Sequence, residues 1–458
     1  MPHFPEDEID ATDVPLLLEE VDEVELAAPV AAGTKRSFIE EYVTSKMQPG
    51  SVKGSMFTMT VATVGAGVLA LPYALEQAGL VMGIGLLILG GLLAYFSLYL
   101  LVVCSDLSKS VSYMHLATIT SGTTLAGFVQ LVISLNLFGT SVGYLVASSE
   151  LILLIVKPNG DHPSPDAATQ SRNALIGTLC ICFVLPLSLF RSLSSLRFSS
   201  LFSLLCIFFL TSTVVVKYFQ FVHLGYAPSF AYQWAHLPLF TLDMRRILKA
   251  LPLVIFAFTC HPNVLPIYLQ LQRRSSVRMY KVARRSLGLA TTLYVVLGTS
   301  VFLTFGMDTR SNFLQNNYHQ DAAIVAGAIF FAVALVLTTP LYIHTLRNGL
   351  NETLWNGDQG TWCRHVIVTL VLVGAACGVA IAAGDIASVL GILGSTTNPI
   401  ICFVLPAFYM CKIAPDAYWL EKGTSVVVCV VVGGLCIASL VEQVRSGGEA
   451  ATSFWMNG

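Results

Sequence analysis

Gly65, Ala66, Gly67 and Val68 stand in the run VATVGAGVLALPY (61–73), inside a stretch apolar enough to cross a bilayer. Two glycines flanking an alanine, with Pro72 seven residues beyond Gly65, do not favour a continuous helix. Glycine relaxes the backbone and proline has no N–H to give. In hydrocarbon an unsatisfied backbone group costs several kcal/mol, so unwinding is tolerated only where protein or a wet cavity receives the freed groups. The free N–H groups of Ala66, Gly67 and Val68 open a half-helix whose positive end suits a carboxylate. A second interruption lies in FAFTCHPNVLPIY (256–268). There Pro262 and Pro266 each delete a donor, and His261 and Asn263 are polar within an apolar span. Freed carbonyls around Phe258, Thr259 and Cys260 suit an ammonium group. The two interruptions offer opposite poles to a zwitterion. The competing reading is two proline-kinked helices with no ligand.

The rest of the chain says what must position these groups. Of its 458 residues, 55% are hydrophobic and only 11% charged, against roughly 25% charged in soluble domains. A spanning helix needs about 20 apolar residues, and eleven such stretches are read: 54–76, 79–104, 122–156, 173–190, 198–220, 247–271, 284–306, 321–349, 363–383, 386–411 and 423–445. The fold class is therefore all-α integral membrane. The third and eighth spans are long, so they tilt or extend beyond the bilayer. Breaks in spans one and six, with four intact spans between, point to a five-plus-five inverted repeat with span eleven appended. Val264–Tyr268 also echoes Val68–Tyr73, a weak signal alone.

Loop charge sets the expected orientation. A cytosolic N-terminus gathers 17 of the 25 Lys and Arg in inside segments, six of them between Arg273 and Arg285, with Arg191 and Arg347 also counted there. Residues 1–50 form an acidic tail, expected to be mostly disordered: ten acidic residues fall between Glu6 and Glu25, with no Lys or Arg. Residues 51–445 are the transmembrane domain and 446–458 a short C-terminal tail. The tail is too acidic for a signal peptide, so the first span is expected to act as its own insertion signal. Asp13-Val14-Pro15-Leu16-Leu17-Leu18 fits an acidic dileucine sorting signal, which would engage trafficking adaptors, or is a chance match. The membrane is thus the plasma membrane or an endolysosomal or vacuolar one. The sequon at Asn351 falls in a cytosolic loop. The eleven cysteines read as small apolar packing residues. His115, His223 and His236 have no metal-type spacing, and the chain contains no Gly-Lys dipeptide, which excludes a Walker A site. Neither an enzyme nor a nucleic-acid partner is expected, and no cofactor beyond a coupling proton or sodium ion.

VATVGAGVLALPYALEQAG together with FAFTCHPNVLPIY resembles the amino acid/auxin permease family, nearest its animal sodium- or proton-coupled neutral amino acid transporters. Thr338-Thr339-Pro340, followed by Arg347 at the end of span eight, is similar to that branch as well. The resemblance covers roughly residues 51–445 and implies the five-plus-five fold and an amino acid substrate. A sodium site in that fold takes backbone carbonyls here at Val61 and Val64 and hydroxyls here at Thr338 and Thr339, and hard cations do favour oxygen. Sodium-coupled relatives carry an Asn at the position of Val61, however. That departure favours proton coupling or ion-independent exchange. The two threonines have a bland alternative, bonding carbonyls loosened by Pro340.

Other polar residues keep two readings each. His261 either relays protons or braces the unwound turn, and Asn263 either braces it or touches substrate. Glu150 is a proton carrier if burial raises its pKa, or a carboxylate at the membrane–water boundary. Asn136 and Tyr144 contact substrate or serve helix–helix hydrogen bonding. Asp385 reads as a loop residue. Two functions fit: a secondary transporter moving small or neutral amino acids by alternating access, and a nutrient sensor binding an amino acid on the same fold.

Overall fold

A computed structural model describes residues 50–156, 165–190, 197–228, 232–233, 236–319, 321–355, 358 and 360–457. The acidic tail, the dileucine motif and Arg191 lie outside the described residues.

Among the described residues, ten helical stretches are long and apolar enough to cross a bilayer, and the bent pair Val52–Thr63 and Ala66–Ala78 makes an eleventh. Buried backbone in lipid must bond to itself, and helices meet that demand locally. The ends are capped in the ordinary way. Ser51 accepts from the Gly54 N–H at 3.1 Å, and Asp243 from Arg245 at 2.9 Å. Asp385 is not a plain loop residue: it caps span ten by accepting from Ser388 at 3.1 Å.

Several spans run past their apolar stretches, because lysine and arginine are good helix formers and nothing confines a helix to hydrocarbon. Span three is helical from Tyr113 to Val156, with a reversal at Ser121 and Gly122 (φ 78°) where the apolar reading begins. Span seven starts at Ser276, so Arg278, Lys281, Arg284 and Arg285 belong to its first turns rather than to a loop. Span eight continues to Trp355 and includes Asn351. Arg347 lies in that helix and is buried, donating to Ser188 O and Thr369 Oγ1 at 2.8 Å each. Span eleven continues to Asn457, so residues 446–457 extend a helix rather than form a separate tail.

Packing gathers the two interrupted spans at the centre. Span seven lies against the first half of span one, span two and span five. Span three packs most extensively on span eight, and the first half of span six on span ten. Among the ten spans other than the first, span ten is the most enclosed and span eleven the most exposed. The outer face of span eleven carries Val427, Val430, Ile437, Val441 and Val444, each more than half exposed, as a lipid-facing surface requires.

Candidate functional site

Both expected interruptions are present. The helix Val52–Thr63 ends at Val64 (φ −89°, ψ 91°) and Gly65 (φ −120°, ψ −151°), which are extended. A tight turn over Ala66–Ala70 follows, and the helix resumes at Leu71–Ala78, its arms bent by 51°. Pro72 sits in the first turn of the resumed helix, where its missing N–H would have had no partner anyway. Gly65 is needed for close approach: a Cβ there would lie 2.6 Å from the Tyr144 hydroxyl. That hydroxyl also partners the Ala66 backbone N–H and lies 3.2 Å from the Tyr342 hydroxyl of span eight. The Val68 N–H is partly used, donating to Gly65 O at 3.3 Å.

In span six the helix Met244–Ala257 stops at Phe258, a turn covers His261–Asn263, and Val264–Leu269 resumes. The cause is legible atom by atom. Pro262 stands four residues after Phe258 and has no N–H to give its carbonyl. The Asn263 N–H goes to Cys260 O at 3.1 Å instead of to Thr259 O. Phe258 and Cys260 are buried and Thr259 half-buried, while Asn263 is exposed. His261 is fully buried with Nδ1 3.2 Å from Cys402 Sγ of span ten, a bracing contact. Its Nε2 has no hydrogen-bond partner among the described residues.

The two breaks touch. A Cβ on Gly67 would meet Phe256 Cδ1 at 3.1 Å and Ala257 Cα at 3.2 Å. Tyr294 of span seven, fully buried, bridges them: its hydroxyl lies 3.0 Å from Thr63 O and 2.9 Å from Ala257 O. Those are the last helical residues before each break, and their carbonyls are the ones that unwinding leaves unpaired. Replacing Tyr294 with Phe should therefore lower the melting temperature of the purified protein, at a cost of about 1–3 kcal/mol for two under-satisfied buried carbonyls. An unchanged melting temperature would show the bridge to be idle.

The remaining candidates are spread out. Thr338 and Thr339 donate to carbonyls of their own helix, Ala334 O at 2.7 Å and Leu335 O at 2.8 Å, and span eight passes Pro340 unbroken. Val64 is buried and Val61 half-buried in the first arm. Glu150 is buried and accepts twice, from Asn312 Nδ2 at 2.9 Å and from the Ile386 N–H at 3.1 Å. It joins span three to the connection between spans seven and eight and to the start of span ten.

Sequence reasoning missed Tyr294 and the ion pair between Glu76 and Arg246 (2.7 Å), which ties the second arm of span one to the first arm of span six. It also missed a third discontinuity, at Thr396 (φ −115°, ψ −85°) in span ten. The run Ser395-Thr396-Thr397-Asn398-Pro399 was the available signal, polar residues before a proline in an apolar span. A cavity of about 40 Å³ lies between spans two, six, ten and eleven, bordered by Phe258, His261 and Cys402. No residue of the Ala66–Ala70 turn lines it, so it is separate from the junction of the two breaks.

A family model described as "Transmembrane amino acid transporter protein" matches residues 48–446 of the chain.

Proposed function

The chain belongs to the transmembrane amino acid transporter family, and from that premise we propose that it carries small or neutral amino acids by alternating access, with the substrate held where the two breaks meet. The observation that supports this most is the junction itself. Gly67, just after the extended Val64 and Gly65, lies close against Phe256 and Ala257, which lead into the unwound Phe258–Cys260 segment, and one hydroxyl reaches the last helical carbonyl before each break. The carboxylate goes to the N–H groups of Ala66 and Gly67, at the head of the tight turn that leads into the resumed half-helix. The Tyr144 hydroxyl, already on the Ala66 N–H, marks that position. The ammonium goes to the Phe258 and Thr259 carbonyls, which Pro262 and the Asn263 turn leave without helical donors. Spans one to five and six to ten are the inverted halves, the N-terminus is cytosolic, and one half rocks against the other around the site.

Proton coupling is favoured over sodium. Val61 supplies no side-chain oxygen where sodium-coupled relatives carry an Asn. Glu150 is the proton-responsive group of this reading, since its two oxygens fasten span three, in the first half, to two elements of the second. Protonation removes one acceptor and slackens that join. Uptake of labelled amino acid into proteoliposomes, with sodium replaced by choline and external pH varied, tests the proposal. Transport that persists in choline and responds to pH is expected, and Glu150→Gln should flatten the pH response. Strict sodium dependence would overturn the coupling, and saturable binding without flux would favour a sensor.

A further inference from the structure

Span seven carries a group of cations that neither the packing of the fold nor the two-break site uses. Between Arg273 and Arg285 the chain has six basic residues. Two are engaged: Arg274 lies 3.9 Å from Asp106 and over the Tyr268 ring, and Arg278 donates to Gln272 O. Arg273, Lys281, Arg284 and Arg285 are exposed and have no hydrogen-bond or ion-pair partner among the described residues. Their helix face is continuous. Val277, Lys281, Arg285, Gly288, Thr292 and Val296 are all exposed and follow at steps of three or four residues, with Arg284 beside them. The basic surface thus runs without interruption into an uncharged surface that faces lipid. From Ser286 to Phe305 the helix rises about 30 Å, the thickness of the hydrocarbon. With that stretch in lipid, Arg284 and Arg285 fall at the headgroup level and Lys281 one turn beyond.

The inner face of the same turns is fastened to the first half of the molecule. Met279, Val282, Ala283 and Ser286 are buried, and the Ser286 hydroxyl donates to Met56 O of span one at 2.8 Å. The Tyr280 ring lies 5.2 Å from the Tyr99 ring of span two. Tyr294, about two turns further along, bridges the two breaks. A partner held on the outer face therefore braces the helix that joins them.

We propose that Lys281, Arg284 and Arg285 form a docking surface for the headgroups of anionic phospholipids, and that an occupied surface stabilises span seven against spans one and two. Charge complementarity and position both argue for lipid. Three unpaired cations meet the headgroup phosphates, and the apolar continuation of the same face takes the acyl chains beneath them. Orientation of the chain during insertion counts these charges wherever they point. It does not require that they share one exposed stripe with the lipid-facing residues, or that they stay unpaired.

The test titrates dioctanoyl phosphatidylglycerol, and separately dioctanoyl phosphatidylcholine, into the full chain purified in detergent, and reads the melting temperature. The anionic lipid should raise it saturably and the zwitterionic lipid should not. Raising the salt from about 0.05 M to about 0.5 M should erase the difference, because surface charges are then screened within a few ångströms. Lys281→Gln, Arg284→Gln and Arg285→Gln together keep good helix formers at exposed positions. They should weaken the binding about a hundredfold, at about fivefold per cation. Equal shifts by the two lipids in the wild type would overturn the proposal, and that arm needs no variant. An undiminished phosphatidylglycerol shift in the triple variant would overturn it as well. A shift of the same size from glycerol 3-phosphate alone would mean a site for soluble phosphate and overturn the lipid assignment. None of these readouts depends on transport.

Discussion

Replacing Gly67 with leucine will abolish amino acid uptake, by at least about 100-fold, while the protein still reaches the membrane folded. The reason is contact, not helix propensity. A single Cβ at this position already sits 3.1–3.3 Å from the Phe256 ring and the Ala257 Cα. Three further carbons must displace the end of one broken span from the start of the other, which is where the carboxylate and ammonium groups are to be held. Overpacking of this kind costs about 1–3 kcal/mol of stability, which a buried domain of this size tolerates. The same displacement removes the geometry of the site. Gly67→Ala should act in the same direction and more weakly, because its neighbours need give only a few tenths of an ångström. Gly85→Ala is the control, since a Cβ there meets nothing within 4 Å. Proteoliposome uptake, paired with size-exclusion profiles of the detergent-purified variants, separates loss of transport from loss of fold. Wild-type uptake by monodisperse Gly67→Leu protein would mean that the substrate passes elsewhere.

What the sequence disclosed follows from how local each cause is. The breaks at Gly65 and Phe258 were legible because glycine and proline act on their own backbone, wherever the chain is later packed. The break at Thr396 was not noticed, because its proline lies three residues beyond it and the intervening polar residues suit a bonded helix equally well. Tyr294 was beyond reach for another reason. A tyrosine in an apolar span looks like packing, and its two acceptors come from segments 231 and 37 residues away. Asn263 kept two readings, bracing or substrate contact, because polarity in an apolar stretch does not say which way a side chain faces; the structure leaves it exposed. The ends of spans seven and eight failed because hydropathy reports where lipid stops, whereas hydrogen bonding decides where a helix stops.

The ion pair between Glu76 and Arg246 bears on how the broken spans move. Arg246 donates to Glu76 Oε1 at 2.7 Å and to the Glu76 backbone carbonyl at 2.5 Å, so one guanidinium holds both the side chain and the last turn of the span-one arm. At the other end of span six, the Tyr268 hydroxyl donates to Asp106 of span two at 2.6 Å, and Arg274 lies over the Tyr268 ring at 4.6 Å. Both arms of span six are thereby fastened to spans one and two across the boundary between the two halves, so these contacts bear directly on the rocking proposed above. Arg246→Met leaves Glu76, only 8% exposed, without its cation. Breaking a buried pair costs about 3–5 kcal/mol, and the lower figure applies because Arg246 is 27% exposed. The variant should melt at a clearly lower temperature and lose most of its uptake. Adding Glu76→Gln removes the stranded charge, so the double variant should recover most of the stability. Uptake should stay low in it, because two neutral side chains no longer fasten the arms. Recovery of uptake along with stability would show the pair to be structural only, and a wild-type melting temperature for Arg246→Met would remove the premise.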